Sequence, residues 1–232
     1  MLKLIQLEWQ KNNLSHYFKG VVICIAAIYA AVVLMTLGTR SENEPMNYAD
    51  FISLADILIR ITFIIFSSVI LSRLVIEEYK SNMIQVLFTY PQQRKKIMQA
   101  KLLIVYVFCF FSILVTTVII NLLTYFLNPV IGLFDVPVRI DEMAAAVPAT
   151  LLNAFMIAGI SLIPLTFGMR KKSTATTITS AVIIGFLVNA TVSGGGSSSS
   201  LFQFIAIPIV LCLLGLFLGY LSFYKVDQND VA

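Results

Sequence analysis

Charge is what this sequence has least of. Among its 232 residues only 12% are Asp, Glu, Lys or Arg, against the roughly 25% that a soluble domain uses to hydrate its surface. So sparse a supply cannot cover a water-solvated globule, whereas lipid asks for none. Histidine occurs once, as His16. With no second imidazole at ligand spacing and no CxxC pair, a metal site or other cofactor is not expected. The three cysteines, Cys24, Cys109 and Cys212, lie inside apolar runs and read as small buried hydrophobes, not as disulfide partners. A nucleophile elbow is missing, and Ser161 and Ser180 have no histidine to activate them. A phosphate-binding loop is missing too: Gly168-Met-Arg-Lys-Lys-Ser is too short and lacks the second glycine. The chain is therefore not expected to be an enzyme, and it cannot hydrolyse ATP alone. Nothing in it points to nucleic acid.

What is present is apolar length. Hydrophobic residues make up 59% of the chain, and the mean hydropathy is +0.90. Apolar runs recur that match the ~20 residues needed to cross about 30 Å of hydrocarbon as a helix. They place six spans at Gly20–Gly38, Ile57–Val75, Leu102–Leu127, Val147–Gly168, Thr176–Val192 and Phe202–Phe223. The first is too long for a secretory signal core and lacks a small-residue cleavage site. Of 16 Lys and Arg residues, all but Arg40, Arg60 and Arg139 fall on one side of these spans. The positive-inside bias makes that side cytoplasmic, with both termini inside. The expectation is an all-α, six-helix membrane protein forming one transmembrane domain over 1–232. Its outer loops would be Thr39–Asp56, Asn128–Ala146 and a flexible Gly/Ser tether at Ser193–Ser200.

The most informative stretch is the cytoplasmic loop between the second and third spans, residues 77–101. Glu77 and Glu78 bring negative charge to the start of a short helix, as its dipole favours. Met83, Leu87 and Tyr90, flanked by Ile84 and Phe88, give that helix an apolar face. Pro91 ends it, and a basic second helix, Gln92–Lys101, runs directly into the third span. A basic loop that merely anchors topology on anionic headgroups would need only the charges. The apolar face and central proline instead describe a helix offered to a cytoplasmic groove.

Within the spans, Asp56 and Arg60 stand four apart and can pair on one helix face. They read either as a substrate or gating contact or as an ion pair in an outer re-entrant or interfacial helix. Thr177, Ala181, Gly185 and Asn189 make a small-residue stripe, and Gly215 and Gly219 form a GxxxG. Both allow close helix approach, inside the chain or between subunits. Pro164 and Pro208 predict kinks, each leaving a carbonyl in need of another partner.

At this point the sequence resembles a family. Glu78-Tyr79-Lys80, Tyr90-Pro91, Arg94 and Lys101 look like the coupling region of ATP-binding-cassette permeases of the type-2 export class. That region reads roughly E-x-x-G-T…L…P-x-x-R…K; here Asn82-Met83 stands where Gly-Thr is usual. Leu7-Glu8-Trp9-Gln10-Lys11 is similar to the family's opening, an interfacial helix over 1–18 with Trp9 at headgroup depth. The resemblance implies a plasma-membrane permease that dimerises with an identical or homologous subunit and is driven by a separate cytoplasmic ATPase. Glu78, Tyr79, Met83, Leu87, Tyr90, Pro91 and Arg94 would then couple it to that ATPase. The short outer loops are similar to the bacterial subgroup for bacteriocin, lantibiotic or bacitracin self-protection, which implies an amphiphilic or peptide cargo. The alternatives are a non-transporting scaffold or sensor partner and an intramembrane enzyme.

Overall fold

A computed structural model describes residues 15–41, 47–76, 94–131, 134, 140–171, 173–194, 197–200 and 206–224. The interfacial segment with Trp9, and Glu78, Tyr79, Met83, Leu87, Tyr90 and Pro91, lie outside the described residues. Among the described residues seven α-helices follow in order: α1 Ser15–Ser41, α2 Tyr48–Leu71, α3 Arg94–Ile131, α4 Ile140–Ile160, α5 Pro164–Lys171, α6 Thr174–Val188 and α7 Ala206–Tyr224. Among the same residues four helical stretches are long and apolar enough to cross a membrane: Tyr17–Arg40, Tyr48–Ile76, Ile97–Asn128 and Ala146–Lys171. The last two helices are apolar but shorter, 15 and 19 residues, or about 22 and 28 Å at 1.5 Å per residue. The surface is that of a protein dissolved in lipid. Val22, Ile23 and Leu34 of α1, Phe111 and Phe126 of α3, and Phe186 of α6 are all exposed.

Helix α2 is the axis of the bundle, packing against α1, α3 and α6, while α4 packs against α7 and α3. Its buried face follows four-residue steps, Phe51, Ala55, Ile59, Phe63 and Ser67, which stack one turn above another on a helix. Phe66 of α2 stacks on Phe108 of α3, with centroids 6.2 Å apart. Gly20 lets α1 approach the Phe66 ring, to which a Cβ there would lie 3.1 Å away. The polar residues buried within this core are nearly all hydroxyls. Ser67, Ser72, Thr116, Thr117 and Thr124 each donate to a carbonyl three or four residues back in their own helix. Helices can therefore carry them at no loss of hydrogen bonding.

Two expectations are corrected and one is borne out. The second helix begins at Tyr48, not Ile57, so Asp56 and Arg60 lie within one continuous helix. Pro208 lies in the first described turn of α7, and residue 204, whose carbonyl its missing N–H would have met, lies outside the described residues. Pro164 does break its helix, into α4 and α5 across a turn at 161–163. The Ile160 carbonyl it cannot reach accepts from the Ile163 N–H at 3.0 Å instead. Lastly, Ser193–Ser200 is not a plain tether. Strands β1 Thr191–Gly194 and β2 Ser197–Ser200 pair antiparallel, Thr191 opposite Ser200 and Gly194 opposite Ser197. Cross-strand bonds satisfy backbone groups there that a short connection between two apolar helices would otherwise leave unmet.

Candidate functional site: the junction beneath the second helix

Helix α2 does not stop cleanly at Leu71. It widens into a π-helical turn, Ser72–Ile76, immediately ahead of the segment 77–93. Leu74, Val75 and Ile76 are all buried. Lys101, near the start of α3, reaches this turn: its Nζ donates to the Leu74 carbonyl at 2.9 Å. The lysine is only 3% exposed, an unusual place for an ammonium and one it can hold only when hydrogen-bonded.

On another side the turn meets α5 and α6. A Cβ placed on Gly168 would overlap both the Thr177 hydroxyl and the Ile76 side chain, so only glycine lets the three elements touch. Helices α5 and α6 are joined tightly, with the Ser173 N–H bonded to the Gly168 carbonyl at 3.4 Å. Arg170 and Lys171 close α5 with positive charge at its C-terminal end. The π turn is thus held between α3 and the α5–α6 pair.

The stripe on α6 faces inward. Thr177, Ala181 and Gly185 are buried, and Gly185 lies against Ile61 of α2, 3.7 Å from where its Cβ would be. Asn189 caps α6 and donates from Nδ2 to the Gly185 carbonyl at 2.9 Å. The GxxxG of α7 also packs within the chain. Gly215 lies directly on the Gly159 carbonyl of α4, and Gly219 meets Leu162 at 3.7 Å. Asp56 and Arg60 do approach each other on α2, with Arg60 Nη2 4.0 Å from Asp56 Oδ2. Of the proposed coupling residues only Arg94 is described, as the first residue of α3; it begins a 38-residue helix, about 57 Å long and far longer than a bilayer core. Among the described residues no cluster of metal-ligating side chains occurs.

Neither the wide turn nor the burial of Lys101 is readable from pattern. The one available signal was a lysine between Ala100 and Leu102, an apolar setting for a loop cation.

A bundle of apolar helices, several long enough to cross a bilayer, is that of a membrane protein. The family comparison makes this specific. A family model described as ABC-2 family transporter protein matches residues 4–189, and the chain belongs to that family. It is also 30% identical over 231 residues, 99% of this chain and all of the relative, to the uncharacterized protein YcbO of Bacillus subtilis (strain 168). No solved structure gives a significant match.

Proposed function

We propose that the chain is the permease subunit of an ATP-driven exporter in a bacterial cell membrane. It crosses the bilayer six times with both ends in the cytoplasm, pairs with a second permease subunit and is driven by a separate ATPase. The observation carrying this reading is the family match across 4–189, which runs through the amphipathic loop between α2 and α3. The asymmetry of basic residues supports the orientation. The great length of α3 supports a helix that continues below the membrane from Arg94. In this reading the apolar face of Met83, Leu87 and Tyr90 docks in a groove on the ATPase. Glu78 and Tyr79 lie at its start, and Pro91 and Arg94 set the return into α3. Closure of the ATPase around nucleotide then biases a two-state arrangement of the spans.

The cargo follows from what lines the helices. Ionic groups within the spans are few, Asp56 and Arg60 chief among them, so an amphiphilic or peptide molecule suits this interior better than a sugar or an ion. Self-protection against an antimicrobial peptide is the role that best fits such cargo. The docking claim is tested by Leu87→Glu with Tyr90→Glu. The expected result is a permease that inserts normally but no longer co-purifies with its ATPase; intact co-purification would remove the docking role.

A further inference from the structure

We propose that Lys101 is a positioning residue for transport: by clasping the π turn at 72–76 it makes movement of the 77–93 segment pull on α5 and α6. The inference deepens the permease reading and rests on it.

The geometry has three parts. First, the Leu74–Lys101 bond joins residues 27 apart in sequence and so ties the entrance of the 77–93 segment to its exit. Lys101 stands seven residues into α3, about 10 Å of helix beyond Arg94. Second, Lys101 puts a directed bond on a carbonyl of a turn that is wider than an ordinary helix, from a stretch of α3 whose neighbouring residues Met98, Ala100, Leu102 and Ile104 are buried and apolar. Third, the far side of the turn is interlocked with α5 and α6 through Ile76, Gly168 and Thr177. Helix α5 is severed from α4 at 161–163, while α4 is held to α7 by the Gly159–Gly215 contact. Helix α5 also reaches α7, where the Ser222 hydroxyl donates to Met169 Sδ, so the break leaves α5 tied to the turn on one side and to α7 on the other while freeing it from the continuous run of α4. Without the clasp, a displaced 77–93 segment would deform the π turn in place of moving it.

The test uses the permease with its ATPase in lipid vesicles. Spin labels on Thr179→Cys of α6 and Phe155→Cys of α4, both exposed positions, are placed in a background whose three native cysteines are alanine. The separation is read with and without trapped ATP. The wild-type lysine should give an ATP-dependent change in that distance. Lys101→Met should shrink the shifted population by about fivefold or more, within the ordinary range for coupling between sites, with basal ATP hydrolysis and co-purification retained. Lys101→Arg should restore it. Lys101→Gln, whose N–H stops short of the Leu74 carbonyl, should behave like Met and serves if Met fails to insert. An unaltered shift in Lys101→Met or Lys101→Gln overturns the inference and leaves the permease reading standing. So does a set of variants that lose monodispersity in place of the distance change, since that marks a purely structural role. Absence of any ATP-dependent change with Lys101 intact removes the permease reading itself, and this inference with it.

Discussion

At the residue scale, two glycines one turn apart on α7 make opposite predictions. A Cβ on Gly215 would strike the Gly159 carbonyl, which is backbone and cannot swing aside, whereas one on Gly219 would make ordinary contact with Leu162 at 3.7 Å. Gly215→Ala should force α7 away from α4 and lose about 1–3 kcal/mol, as over-packing does. Gly219→Ala should be nearly neutral. Thermal unfolding in detergent separates the two, and equal melting shifts would show that the GxxxG does not pack as described. The Asp56–Arg60 pair gives a second test. Removing Arg60 alone strands a carboxylate in a span, while removing both charges leaves none to strand. Arg60→Gln should therefore melt lower than the double variant Asp56→Asn with Arg60→Gln, provided the pair exists for packing. If transport is lost in the double variant while its melting point holds, the two residues act on cargo.

At the scale of elements, the π turn, α5 and α6 form one interlocked joint. Gly168→Ala should destabilise it by about 1–3 kcal/mol, because the new methyl group overlaps both Thr177 and Ile76. Trimming those neighbours, Thr177→Ala with Ile76→Val, should recover most of the loss, a non-additive effect expected only for residues in contact. A triple variant as unstable as Gly168→Ala alone would show that the clash lies elsewhere. This joint also marks where the sequence stops being informative. The stripe Thr177, Ala181, Gly185, Asn189 announces a close approach, since small residues at four-residue steps have few other uses in an apolar helix. It cannot say that the partners are Ile61 and Gly168 of the same chain, because partner choice depends on tertiary packing and not on period. The π turn is silent for a related reason: Ser72-Arg-Leu-Val-Ile76 has no residue that demands one extra member per turn. Helix α2 hid its first nine residues because Asp50 and Asp56 read as loop charges, although Asp50 sits in the first turn, where the dipole welcomes it.

For the whole molecule, the class of protein was decided by apolar run length, a quantity that one-dimensional sequence carries in full. Among the described residues four long helical stretches appear where the first four runs lie. The fifth run, Thr176–Val192, lost its last residues to a hairpin whose serines carry no alternating apolar signal. Helix α6, at 15 residues, is about 8 Å short of a 30 Å core. If it crosses, the bilayer must thin around it or the chain on either side must finish the passage. The hairpin supplies such a completion: β1 begins only three residues after α6 ends, and its paired backbone tolerates an interface that bare loop would not. The six-span arrangement therefore predicts that Lys171 and Ser198 lie on opposite sides of the membrane. In sealed cells an impermeant maleimide should label Ser198→Cys directly. It should label Lys171→Cys and Lys95→Cys only after permeabilisation. Cys109 and Cys212 are buried, and Cys24 is half-buried within α1, so the native background should stay dark. Labelling of Lys171→Cys and Ser198→Cys from the same side would mean that α6 returns without crossing, and α7 would then deliver the C-terminus to the outer face.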